Sequence, residues 1–330
     1  MSKPQKLIMY LFLLIVFIIS CFLLSGCRNN STEETMQTID IASLSTDENR
    51  MFSMVEIISK TPRVIGSDNE KRTYKFLKEE LDSYGYEVKT QEFPYKILNS
   101  EDFMIEDKNS IYTDFSNKKP DGISQNLIAV KKTDQENTKE NDIIILSAYY
   151  DTINDCYGAI DNASGVSILM EVARVLAPVS NNSNKEIHFI LFSGSKNNLF
   201  GSHYYVHTLS EHDKKHISAV INLDKIGEEG PIEPILGTHD VKENYATELF
   251  SDYNLEIKKG PSSDHLAFHY ADIPALTITQ YRSEMLRTVD DIRENDNAER
   301  IDKMKLKQLA DMLLSVLLEE CQGDGRLCEN

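Results

Sequence analysis

Tryptophan is absent from this chain of 330 residues, and cysteine, proline and glycine are sparse, at 5, 9 and 14. So little glycine and proline excludes a collagen-like or low-complexity chain. Five scattered cysteines exclude a disulfide-dense miniature domain, and none of their spacings resembles a zinc knuckle. No internal repeat is visible. Positive charge is also scarce: 35 lysines and arginines face 53 aspartates and glutamates, a formal net charge of −18. That balance argues against nucleic acid or an anionic lipid surface as a partner. A solvated acidic surface accounts for the excess.

Long apolar runs are missing as well, with one exception. Residues 7–24 are 18 apolar or small residues behind Lys3 and Lys6, and Ser25-Gly26-Cys27 follows. A basic start, an apolar stretch and small residues before a cysteine read as a bacterial lipoprotein signal. Residues 1–26 would then be removed and Cys27 would carry lipid. An uncleaved transmembrane anchor is the other reading. Both put the rest of the chain on the extracytoplasmic face of a cell membrane. Loss of Lys3 and Lys6 takes the mature charge to −20. Residues 27–45 are polar and read as a flexible tether. Residues 46–322 are long enough to bury one large core, and 323–330 form a tail. Cys321 and Cys328 are close enough in sequence to pair outside the cytoplasm, which would leave Cys156 single.

The apolar periodicity predicts alternating strands and helices. Ser67 with Glu70 reads as a capping box. The helix behind it carries Tyr74, Leu77, Leu81 and Tyr84 on one face and stops at Gly85. Buried strands are expected at 142–149, 186–192, 217–224 and 274–279, and helices at 165–177, 202–209 and 302–320. The fold class is therefore α/β, with three α/β/α layers around a mostly parallel, mixed sheet. Sites in such sheets form at the carboxyl ends of strands, here Tyr149 to Asp151, Ser195 with Lys196, Asp224, and the loop after Thr279.

Those positions lie inside recognisable motifs. The order SAYYDT, GAIDNASGVSILMEVARVL, FSGSKNNLFGSHYYV, AVINLDKIG, SDHLAFHYADIPALTI and RTVDDIRENDNAERI resembles the M28 family of zinc aminopeptidases and carboxypeptidases, from about residue 62 to 320. The resemblance implies a zinc-exopeptidase-like fold and metal-assisted amide hydrolysis near a chain terminus. In active members it implies two zinc ions that share a bridging aspartate. Each ion also takes one histidine and one further carboxylate, and a separate glutamate activates the water.

Transferred to this chain, those roles meet substitutions. Tyr149 stands at the first histidine position, while Asp151 keeps the place of the aspartate that orients it. Asp161 matches the bridging aspartate, and Asp224 matches the ligand at the end of its strand. Ser195 occupies the position of the water-activating glutamate. Lys196 occupies the next ligand position, and Arg287 that of the last histidine. Asp264 and His265 match a segment that lines the pocket without ligating metal. Two ligands of five remain. A phenol ionises only near pKa ~10, so it is a poor zinc ligand. A serine is no general base at neutral pH.

Asp151, Asp161 and Asp224 would repel one another in a partly buried pocket without metal. An ion-pair network with Lys196 and Arg287 is the expected replacement for the zinc pair. No cofactor is then expected. The chain reads as a pseudopeptidase whose cleft holds a peptide or amino-acid group. The alternative is an active zinc aminopeptidase with an atypical site, recruiting a nitrogen ligand such as His265.

Other residues invite simpler readings. Asp161 also reads as a helix cap. His188 reads as strand packing and His265 as a hydrogen-bonded structural histidine. His203 with His207, and His265 with His269, are i, i+4 pairs. His212 and His216 imitate a zincin helix but sit in a charged, solvated segment. Glu228 and Glu229 read as loop residues.

Overall fold

A computed structural model of the protein describes residues 44–97, 119–135, 141–231, 233–280 and 295–322. All lie in the compact unit that begins at Ser43. Cys27, Arg287 and Cys328, and the expected signal segment, tether and tail up to residue 43 and from 323, lie outside the described residues.

Among the described residues the strands, in chain order, are β1 (Glu87–Tyr95), β2 (Gly122–Lys131), β3 (Asp142–Tyr149), β4 (Lys185–Phe192), β5 (Ile217–Leu223), β6 (Ile235–Thr238), β7 (Ile257–Lys259) and β8 (Ala275–Thr279). They form one sheet in the order β1-β2-β4-β3-β5-β8-β6-β7. The centre, β4-β3-β5-β8, is parallel, whereas β1 with β2, β2 with β4, and β6 with β8 pair antiparallel. The helices are α1 (Glu48–Ile58), α2 (Asp68–Ser83), α3 (Ser164–Leu176), α4 (Phe200–Thr208), α5 (Glu211–His216), α6 (Tyr245–Glu248), α7 (His265–His269) and α8 (Lys303–Gln322).

The period-2 alternation of β3 sorts its side chains onto two cores. Ile144, Leu146 and Ala148 pack with α1, α2, α3 and α8, while Ile145 and Tyr149 pack on the other face with Tyr205 and Val206 of α4 and Phe268 of α7. Twelve of the thirteen residues of α3 are buried, so this helix is apolar nearly all round, as a helix between sheet and outer layer must be. The mixed three-layer fold expected from the sequence is the one observed.

The central elements lie within a residue or two of their expected bounds. The strands without clear sequence signals lie towards the sheet edges. β1 buries only Phe93 and Tyr95 and otherwise faces outward with charged and polar residues, and β6 and β7 are four and three residues long. The capping box is altered. The Ser67 hydroxyl accepts from the Glu70 amide, but the Glu70 carboxylate turns inward to Gly66 N and to the hydroxyls of Ser124 and Ser193. Gly201 opens α4 where a β-carbon would lie 2.2 Å from the Ser193 carbonyl, so this close approach admits only glycine.

Phe189 is fully buried in β4, edge-on to Tyr86. Phe189→Ala should cost about 3–5 kcal/mol of unfolding free energy. Urea denaturation would measure it, and a cost under about 1 kcal/mol would contradict the packing described.

Candidate functional site

Three strand ends and one irregular turn meet at the carboxyl edge of the sheet. β3 delivers Tyr149 and Asp151, the loop after β4 delivers Ser195 and Lys196, and β5 runs out into Asp224 and Lys225. Asp161 comes from the turn at Ala159–Ala163 that leads into α3. Its side chain does not cap that helix; the N-cap residue is Ala163, without a side-chain cap bond. The carboxylate instead faces Tyr149 and the lysines, so the capping reading is corrected: the electrostatic partners hold it across the site.

The Tyr149 phenol lies between Asp161 and Asp224 and hydrogen-bonds to an oxygen of each. It has one proton for two acceptors, so the two carboxylates share it. The Lys196 ammonium donates to the phenol oxygen at 3.0 Å, lies 2.5 Å from Asp161 Oδ1, and sits 4.6 Å above the Tyr149 ring. On the other side the Lys225 ammonium lies 3.8 Å from Asp161 Oδ2 and 3.6 Å from Asp224 Oδ1. Two carboxylates and two ammonium groups thus balance around one neutral phenol. Burial, with the two carboxylates beside it, pushes the Tyr149 phenol well above its usual value, so it is a donor at any physiological pH. Burial also raises Asp161, but Lys196 and Lys225 outweigh it and hold this carboxyl below its ordinary range.

A ring of acids without such cations surrounds this cluster. Asp151 accepts from the backbone amides of Ser195 and Lys196, each at 3.0 Å, which fixes the loop after β4. Ser195 donates its hydroxyl to Asp264 at 2.7 Å. Asp296 accepts from the amides of Ile160 at 2.5 Å and Asp161 at 3.3 Å, and so orients the turn. Burial pushes Asp151 up to about 7, Asp264 to about 6 and Asp296 to about 6.

His265 departs from expectation. It is fully buried, but among the described residues neither ring nitrogen has a hydrogen-bond partner. It is therefore not a hydrogen-bonded structural histidine. Burial, with His269 and His239 nearby, drops it to about 3 and keeps it neutral. His188 is half-buried on β4 and pairs with Glu186 at 3.1 Å, rather than packing among apolar groups. His203 stacks on Tyr270. His212 and His216 lie on short, charged α5, apart from the site. Glu228 and Glu229 pair with Arg300 at 3.3 and 2.9 Å and stay in their loop. Cys156 and Cys321 are free thiols among the described residues.

The sequence reading passed over three residues. Lys225 follows Asp224 directly, but a lysine after a strand reads as surface; here its left-handed φ of 53° turns it over the carboxylates. Asp296 sits far along the chain in a polar run with nothing to single it out. Arg63 is fully buried and donates to the carbonyls of Ile58 at 2.8 Å, Tyr150 at 2.7 Å, Tyr157 at 2.6 Å and Gly158 at 2.9 Å. Burial lowers it to about 10, so it stays charged and clamps the loop between β3 and Asp161.

The donor set does not suit a transition metal. Zinc takes neutral imidazole, thiolate or carboxylate. Here a phenol and an ammonium lie against the two carboxylates, and a second ammonium faces the same pair. Among the described residues no three histidine, cysteine, aspartate or glutamate side chains are grouped to hold a metal ion.

Comparison with known proteins gives this geometry a family. The profile of peptidase family M28 matches residues 126–317. Aminopeptidase YwaD of Bacillus subtilis (strain 168) is 35% identical over 218 residues, which cover 62% of this chain and 46% of that protein. The chain thus spans less than half the length of this relative. An aminopeptidase from Aneurinibacillus sp. strain AM-1 is similar in structure with a TM-score of 0.69 at 22% identity, covering 83% of this chain and 93% of that one. A zinc aminopeptidase from Bacillus subtilis gives the same TM-score and identity over 83% of this chain and 95% of its own. At that identity the structural likeness is one of fold.

Two predictions follow from the charges. Lys196→Met leaves the buried Asp161 carboxylate short of a cation and should cost roughly 3–5 kcal/mol. Adding Asp161→Asn should recover part of that loss, a coupling that a double-mutant denaturation cycle reads directly; strictly additive effects would deny the pair. The raised acids give the second. A carboxyl held above its unfolded value of 3.8 contributes stability that is complete below that pH and is lost as pH rises through the folded value. The stability difference between the wild type and Asp264→Asn should therefore shift against the wild type from about pH 4 to about pH 7. Asp161, held low, works in the opposite direction: its contribution is present above 3.8 and fades in acid. Unfolding curves across this range check both signs.

Proposed function

The chain belongs to peptidase family M28, and from that premise we propose that it is a metal-free, catalytically silent member. It serves as a binding or scaffold protein on the extracytoplasmic face of a membrane, held by lipid on Cys27. The observation that carries this reading is the Lys196 ammonium, 2.5 Å from Asp161 Oδ1 and 3.0 Å from the Tyr149 hydroxyl. A cation bonded into the space between these groups competes with a divalent ion for the same oxygens.

The water-activating role is also unsupported. Ser195 donates its proton to Asp264, and a hydroxyl in that arrangement is a donor rather than a base. Asp151 accepts two backbone amides and is committed to loop geometry. The frame of an amide-hydrolysing cleft is kept while the groups that would drive hydrolysis are replaced by a closed charge network. The ligand this reading assigns to the site is a peptide end or an amino-acid group.

Protein purified without chelator should contain well under one zinc per chain by elemental analysis, and should not release N-terminal residues from peptide amides with zinc added. Stoichiometric zinc, with turnover abolished by chelator and by Asp161→Ala, would establish the active zinc aminopeptidase instead. The anchor is tested separately. Cys27→Ser should move the protein from the membrane fraction into the soluble extracytoplasmic fraction; retention in the membrane would favour a spanning anchor.

A further inference from the structure

We infer that a second site, at the end of α1, receives a basic side chain, arginine or lysine, carried in a peptide. None of its residues belongs to the carboxylate cluster, so it stands whether or not that cluster holds metal. A cavity of about 540 Å³ opens between the last turn of α1, the loop after β3 and the short 3-10 turn Ala298–Arg300. Its walls include Glu56 and Ser59 from the end of α1, Tyr157 from the loop, and Asn297 and Glu299 from the turn. That size falls among pockets that take whole small ligands, roughly 300–1,000 Å³. It leaves room for one long side chain together with the backbone on either side of it.

Charge, an aromatic face and an unsatisfied hydroxyl together define the ligand. Glu56 and Glu299 are both exposed, and neither forms an ion pair among the described residues. The cations nearby are not theirs. Arg300 is held by Glu228 and Glu229 at 3.3 and 2.9 Å. Arg63 lies behind the cavity, fully buried, and donates to the carbonyls of Ile58 and Tyr157. The Tyr157 side chain is 50% exposed while its carbonyl is fixed by Arg63 at 2.6 Å, so the ring is an open platform on a fixed backbone. A guanidinium or ammonium over such a ring gains from its quadrupole. Ser59 is only 7% exposed and lines the cavity, yet its hydroxyl makes no hydrogen bond among the described residues. Its oxygen is an acceptor for an incoming N–H donor. Two glutamates are too few oxygens for calcium, which takes roughly six to eight, and an aromatic face suits an organic cation. The walls are also set in advance. Asn297 accepts from the Glu299 amide at 3.0 Å, and the Ser59 amide donates to the Val55 carbonyl at 2.8 Å. Such preorganisation lowers the ordering cost of binding.

Titration calorimetry on the full chain tests this with acetyl-Ala-Arg-Ala-amide, the same peptide with neutral citrulline in place of arginine, and agmatine. The arginine peptide should bind roughly tenfold or more tighter than the citrulline peptide, and the difference should shrink as salt is raised. Glu56→Gln with Glu299→Gln should abolish that difference. Glu79→Gln with Glu319→Gln removes the same two charges from exposed positions elsewhere and should leave it intact. Tyr157→Leu should weaken the arginine peptide about threefold or more and leave the citrulline peptide unchanged. The comparison of probes on the wild type needs no variant to fold. Equal affinities or no binding overturns the inference. So does an equal loss in both glutamate pairs, which would mean attraction to an acidic surface only. Tighter binding of agmatine than of the arginine peptide would overturn the peptide assignment in favour of a free amine. Metal content and peptidase turnover, measured on the same sample, test the silent reading separately, since neither depends on this cavity.

Discussion

Everything at the carboxyl edge of the sheet turns on how the Asp161 carboxylate is neutralised. This group is nearly buried, lies next to Asp224, and sits within a ring formed by Asp151, Asp264 and Asp296. Charges of one sign packed at low effective dielectric repel by several kcal/mol per pair, so they fold together only if something compensates them. Here the compensation comes from Lys196 and Lys225, with Tyr149 supplying the proton that lets Asp161 and Asp224 approach. The remaining acids are kept in place by hydrogen-bond donors rather than by cations. Their raised proton affinity is the consequence.

That constraint explains features that look unrelated along the chain. The left-handed backbone at Lys225 brings the second ammonium over the carboxylates. The buried Arg63, whose side chain donates to neutral carbonyls, adds a third positive charge behind the loop that carries Asp161. Asp151 spends both of its oxygens on the loop bearing Lys196, and so positions the cation that the cluster needs. A substitution at one of these points is felt at the others, because each is either a charge in the same low-dielectric region or the clamp that holds one.

Strand ends at the carboxyl edge, the turn leading into α3 and the loop after β4 converge on one point. The fold delivers a pocket, and the side chains at five or six positions decide its chemistry. In this chain those positions bring one phenol and two ammonium groups against two carboxylates.

How much was legible beforehand depended on the kind of signal. The apolar runs of β3, β4, β5 and β8 and the periodicity of α3 and α8 mark them as buried elements, since core burial writes a period into the sequence. The motif frame then located Tyr149, Asp151, Asp161, Ser195, Lys196 and Asp224 around one point, because each lies at a fixed offset from a strand end. The edge strands β1, β6 and β7 left little trace, being short or half solvated. Lys225, Asp296 and Arg63 left none, since a charged residue carries the same letter whether it is solvated or buried among partners from elsewhere in the chain. The sequence by itself determined the layers and the family. Only the tertiary structure decided which cations meet Asp161, because Lys196 and Lys225 lie 35 and 64 residues away along the chain and are brought to it by the sheet's strand order.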